Sequence, residues 1–145
     1  MIRRKSVRGP WPGLDYPDAV TGLILFLHAR LAVAAILFAL LLGVWGSYQY
    51  IRHKAISPGF RSSYLLLCGL IAVQSLLGLL TLLTGSKLHS WLHIVYGIFA
   101  VVFLPGLYFY SVSGRQTSKA REAVLLAAAC WIVLVALGRG WITGQ

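Results

Sequence analysis

The sequence predicts an all-α protein: an integral-membrane, up-down four-helix bundle. Three observations carry this. Hydrophobic residues make up 59% of the 145 residues and charged residues 11%, where a soluble domain carries roughly 25% charged residues. The mean hydropathy is +0.80. The few charges also stand in clusters, and the runs between them are long enough to cross a bilayer, which takes roughly 20 apolar residues in a helix. A soluble helical bundle would need polar outer faces, and these runs have none.

The first run is uncharged from Leu31 to Ile51 and reaches upstream to Ala19, broken only by His28 and Arg30. The second is Ser62 to Ser86. The third is Leu88 to Gly114, uncharged apart from His89 and His93. The fourth, Ala123 to Gly138, is short, but Trp141 and Ile142 can lengthen it. The expected spans are about 21–50, 62–86, 88–112 and 121–139 within a transmembrane domain covering 19–145. Residues 1–18 form a basic tail broken by Pro and Gly, with Trp11 and Tyr16 suited to a membrane interface. The first apolar stretch starts too late and runs too long for a cleaved signal peptide. The connections are short. Pro58-Gly59 reads as a turn, Thr84-Gly85-Ser86-Lys87 as a tight hairpin, and Gly114 to Arg121 as the last link. Short loops make sequential helices antiparallel neighbours. No internal repeat is visible.

The net charge of +10 invites a nucleic-acid reading, but the basic residues mark where spans enter and leave the bilayer. Nucleic acid is therefore not an expected partner; the lipid bilayer is. Four spans put both termini on one side. The loops on the other side hold Arg52, Lys54, Arg61, Arg115, Lys119 and Arg121, whereas the terminal-side hairpin holds Lys87. The tail's cations lie far from the first span, so the positive-inside rule favours termini outside. The expected location is a bacterial inner membrane.

Ionisable groups within a membrane are costly and mark function by default. His53 falls in a loop. His28 lies on the first helix and His93 on the third, two helices that run in the same direction. Each stands about two turns before its helix centre. At a rise of about 1.5 Å per residue, both lie roughly 10 Å from the midplane. His89 is one turn nearer the surface. Two histidines at one depth on parallel helices suit a bis-imidazole haem site, with iron between them. Ala32, Ala35, Ala39, Gly43 and Gly46 on the first helix, and Gly97 on the third, offer small residues where a macrocycle could stand. The same small residues could let helices pack closely, with the histidines hydrogen-bonding across the bundle. The spacing leaves both readings open.

Haem propionates would need cations at that face, and Arg30, Lys87 and Arg139 lie there. Arginine gives a carboxylate two parallel bonds, although Lys87 and Arg139 could equally snorkel to headgroups. Arg30 points about 200° away from His28 around the helix, so it must snorkel or meet an anion. Gln74, the one amide inside the second helix, could touch a haem edge or a quinone, or bond another helix. Cys68 and Cys130 read as inert core thiols. Asp15, Asp18 and Glu122, the only acids, sit at edges, so no carboxylate pair is available for acid–base work. Pro105 is expected to kink the third helix.

The run His28-Ala29-Arg30-Leu31-Ala32 resembles the histidine–arginine entry of haem-binding helices in the haem A synthases. Gln74-Ser75-Leu76-Leu77-Gly78 looks like that family's Q-x-x-x-G segment, and Leu92-His93 like its second haem histidine. The separation of the two histidines is similar to that inside one half of the family, whose members are built from two four-helix halves. The resemblance covers about residues 22–112 and one half only. It departs from the family at Leu25, where the catalytic half has glutamate, at Ala29, which separates histidine from arginine, and in lacking the extracytoplasmic cysteine pair. What it implies is a holder of haem rather than an enzyme that oxidises it.

The expected function is thus a membrane b-type cytochrome subunit acting in one-electron transfer within a larger respiratory or photosynthetic complex. One haem b would be held by His28 and His93 as iron ligands, with His89 as reserve ligand or propionate partner. Arg30, Lys87, Arg139, Gln74 and Gly97 would surround the cofactor. Expected partners are other membrane subunits or a second copy of the chain. The alternatives are an accessory subunit without haem, and a half-size haem A synthase-like enzyme.

Overall fold

In the computed structural model, residues 16–83, 91–113 and 118–144 are described. They form four α-helices: α1 (Tyr16–His53), α2 (Pro58–Leu83), α3 (Trp91–Ser113) and α4 (Lys119–Thr143). No strand occurs among these residues. All four are long and apolar enough to cross a membrane, with mean hydropathies of 2.4, 2.3, 1.9 and 2.1 in their candidate spans. Much of this apolar surface faces outward, including Leu41, Leu66, Val102 and Val135. Such surface is at home against lipid tails.

The helices pack in a ring: α1 on α2, α2 on α3, α3 on α4, and α4 back on α1. Side-chain contacts fix the directions. The start of α1 meets the end of α2 through His28 and Gln74, and the start of α3 meets the end of α4 through His93 and Gly140. The starts of α2 and α4 meet through Arg61 and Glu122. Adjacent helices are therefore antiparallel, while α1 and α3 run parallel across one diagonal and α2 and α4 across the other.

The helix bounds differ from the sequence expectation in instructive ways. Tyr16 to Asp18 belong to α1 rather than to the tail. Pro17 is compatible with this because a first-turn residue has no helical partner for its N–H. Pro58-Gly59 is not the turn but the opening of α2. Ser57 precedes it, and its Oγ accepts the Phe60 N–H at 3.2 Å, the bond expected of an N-cap serine. The chain reverses just before, at Lys54, whose φ of 52° is left-handed. α4 runs on to Thr143 and is capped by Gly144. Pro105 lies inside α3, which continues through it. The hairpin around Gly85 lies outside the described residues.

The core lies at the middle and loop end of the bundle. Phe60, Tyr64, Leu67 and Ile71 from α2 meet Ala35, Ala39 and Leu42 from α1, Leu104 from α3, and Leu126, Cys130 and Val133 from α4. The small-residue ridge of α1 is occupied there by aromatic rings. A Cβ on Gly43 would lie 3.0 Å from the Trp131 ring, and one on Gly46 would lie 2.9 Å from Phe60. Along this stretch the ridge serves close helix packing.

Candidate functional site

The terminal end of the bundle brings His28, His93 and Gln74 together. His28 and His93 have their ring centroids 6.0 Å apart, with planes at 66°. Each ring is anchored to the helix that follows its own. His28 Nδ1 lies 3.1 Å from the carbonyl of Gln74, and His93 Nδ1 lies 2.9 Å from that of Gly140. A carbonyl can only accept, so both Nδ1 atoms carry a proton, and in the neutral ring the lone pair is then on Nε2.

The two anchors are built alike. Gly78 stands four residues after Gln74, and Gly144 four residues after Gly140. A Cβ on Gly78 would sit 3.0 Å from His28 Cε1, and one on Gly144 would sit 2.9 Å from His93 Nδ1. Each imidazole thus rests on a glycine one turn beyond the carbonyl it bonds. The α1–α2 and α3–α4 hairpins present their histidines in the same manner.

The likeness ends at the residue that supplies the carbonyl. Gly140 has no side chain, whereas Gln74 is 8% exposed and returns its amide to His28. Gln74 Nε2 donates to the His28 carbonyl at 2.8 Å and lies 3.4 Å from His28 Nε2. Its Oε1 is buried and has no hydrogen-bond partner. A buried carbonyl oxygen without a donor costs about 1–3 kcal/mol.

The other sequence-selected residues stand around this group at varying distance. Arg30 is exposed, and its guanidinium lies over the Phe26 ring of its own helix at 5.1 Å, away from the histidine pair. Arg139 adjoins Gly140 in sequence and is exposed. Gly97 is half-buried, and a Cβ there would meet nothing within 4 Å. His89 and Lys87 lie outside the described residues.

What could this arrangement hold? Among the described residues, no group of three or more His, Cys, Asp or Glu stands together, so a metal bound by protein donors alone has no ligand set there. Two imidazoles suffice for a metal that arrives with its own equatorial ligands, as haem iron does. The pair meets one requirement of such a site. Metal-bound histidines donate their second ring N–H to a carbonyl or carboxylate, and both rings do so. α1 and α3 are also not packed on one another. The Gln74 amide stands 3.4 Å from His28 Nε2, the atom through which His28 would hold iron.

Sequence reasoning missed the two carbonyl acceptors and the loop-end ion pair. Glu122, 8% exposed, accepts from Arg61 Nε at 2.8 Å and from Arg61 Nη2 at 2.7 Å. The signal was an acid in the first turn of one helix and a single arginine in the first turn of another. The resemblance to haem A synthases gains no further support from comparison, because no protein-family model, curated protein or solved structure matches the chain.

Proposed function

We propose that the chain is a small membrane b-type cytochrome, a subunit that holds one haem b between α1 and α3 and passes single electrons. The observation that carries the reading is the pair of imidazoles 6.0 Å apart, each with Nδ1 committed to a backbone carbonyl. His28 and His93 would ligate the iron. Bound haem supplies a one-electron ferric/ferrous couple. The protein's part is to fix both rings through Gln74 and Gly140, to back them with Gly78 and Gly144, and to surround them with apolar helices that limit water. Arg139, with Lys87, His89 and Arg30, would be the candidates for the propionates. Leu25 in place of glutamate speaks for a carrier over a half-size haem-modifying enzyme. The cations of the loop end, Arg52, Lys54, Lys119 and Arg121, are exposed, which favours that end as cytoplasmic and the termini as outside in a bacterial inner membrane. Other redox subunits, or a second copy, would supply and accept the electrons.

One observation favours a second reading, a haem-free accessory subunit. Each imidazole already has a protein partner, so the pair could simply pin the two hairpins. A reduced-minus-oxidised spectrum of the purified chain separates the two. The cytochrome reading expects b-type bands that vanish in His28→Ala and His93→Ala and persist in His89→Ala. Protein purified with haem supplied during expression, yet without such bands, would sink it.

A further inference from the structure

The loop end carries a second recess, remote from the histidines. A cavity of about 390 Å³ opens where the last turns of α1 meet the turn into α2. Trp45, Tyr48 and His53 form its walls, and Gln49, Ile56 and Ser57 its floor. In the floor, Gln49 and Ser57 are hydrogen-bonded to one another. Gln49 Oε1 accepts from the Ser57 N–H at 2.7 Å, and Gln49 Nε2 donates to Ser57 Oγ at 3.0 Å. These residues carry no charge, so recognition of a charged group must come from the rim.

One arginine adjoins the rim. Arg52 follows Tyr48 by four residues, so Leu41, Trp45, Tyr48 and Arg52 fall on one stripe of α1. Leu41 and Tyr48 are more than half exposed, and Arg52 is exposed. Along this stripe an aliphatic side chain is followed by an indole, a phenol and a guanidinium. A phospholipid presents the matching order: acyl chain, glycerol and ester region, phosphate. His53 lies edge-on to Tyr48, with centroids 6.3 Å apart, while the Lys54 ammonium lies over the Tyr50 ring at 4.1 Å. Glu122, the carboxylate described at this end, is held bidentately by Arg61, so it does not neutralise Arg52.

We propose that this recess is a site for one anionic phospholipid. The phosphate meets Arg52 and His53, the glycerol region lies against Trp45 and Tyr48, and an acyl chain follows Leu41 and Leu37. The proposal rests on the helices spanning a membrane and is independent of haem.

The test uses the full chain in mild detergent, with native mass spectrometry and thermal unfolding as readouts. Dioleoyl phosphatidylglycerol is expected to remain bound and to raise the unfolding midpoint, and dioleoyl phosphatidylcholine to do neither. Arg52→Gln with His53→Gln is expected to weaken phosphatidylglycerol binding about five- to tenfold. Arg52→Lys keeps binding and so controls for folding. Lys119→Gln with Arg121→Gln, a larger loss of formal charge at the same end but away from the cavity, also keeps it. Equal binding of the two lipids overturns the proposal, as does equal loss in both charge-removing variants. The same stabilisation from glycerophosphoglycerol or inorganic phosphate alone would overturn the assignment to a lipid.

Discussion

The two ends of this bundle are built on different principles. At the loop end, large side chains interlock. Phe60 and Tyr64 are fully buried, Tyr64 stacks on Tyr108 with centroids 6.0 Å apart, and its hydroxyl donates to the Leu104 carbonyl at 3.1 Å. Arg61 and Glu122 tie α2 to α4 across the diagonal. Beyond the level of Ile71 and Val133, the buried residues described are Gln74, Thr81, Ala136 and Gly140. Two are polar and two are small. Lipid tails are as apolar as leucine, so helices in a bilayer associate through packing and polar contacts. The loop end has both. Among the described residues, hydrogen bonds from His28, His93 and Gln74 join the helices at the histidine end. Among the described residues, interlocking of large buried side chains is thus concentrated at one end.

The largest expected effect follows from removing the interlock. Phe60→Ala leaves a cavity beside Gly46 and Trp45 and is expected to cost about 3 kcal/mol or more in reversible unfolding in detergent or bicelles. Leu80→Ala, outward-facing at the other end, is expected to cost under about 0.5 kcal/mol. Comparable losses at the two positions would erase the contrast. Glu122→Gln comes next, at about 2 kcal/mol, because a buried partner of a bidentate pair loses its charge. A substantial recovery in Arg61→Glu with Glu122→Arg would tie that loss to the pair itself; a swap that only deepens it would assign the loss to the surrounding packing.

The two ends were also unequally legible from the sequence. Charge spacing gave the four helices, and depth counting placed His28 and His93 at one level, where their rings do meet. Depth follows from rise per residue alone, so it survives ignorance of rotation. The acceptors at Gln74 and Gly140 were hidden because a backbone carbonyl leaves no mark on the residue type that bears it. Gly43 and Gly46 were legible as room but not as room already taken, since that depends on the register of α1 against Phe60 and Trp131. Pro58-Gly59 read as a turn because both residues favour turns. Proline equally favours the first position of a helix, and Ser57 before it was the deciding cue. Glu122 read as an edge residue because its partner is distant in sequence.

A smaller effect tests the glycines that back the histidines. Gly78→Ala and Gly144→Ala put a methyl group about 3 Å from an imidazole ring. Each is expected to cost about 1 kcal/mol in unfolding. In the haem-bearing protein of the proposal, each should also shift the reduction potential or split the spectrum by tilting one ring. Loss of stability with an unchanged spectrum would make the glycines packing residues only.

The smallest effect concerns Gly138, half-buried in α4. A Cβ there would meet nothing within 4 Å, unlike one on Gly46, which would meet Phe60 at 2.9 Å and Ala127 at 3.1 Å. Glycine within a helix is about 1 kcal/mol less favourable than alanine. In the isolated chain, Gly138→Ala is therefore expected to be neutral or to stabilise by up to about 1 kcal/mol, while Gly46→Ala destabilises despite the same gain in propensity. The sign difference isolates packing from propensity at the two ends. If Gly138→Ala instead destabilises, or breaks an oligomer seen by native mass spectrometry, the space beside Gly138 belongs to a partner helix, and the looseness of the histidine end is a property of the chain alone and not of its assembly.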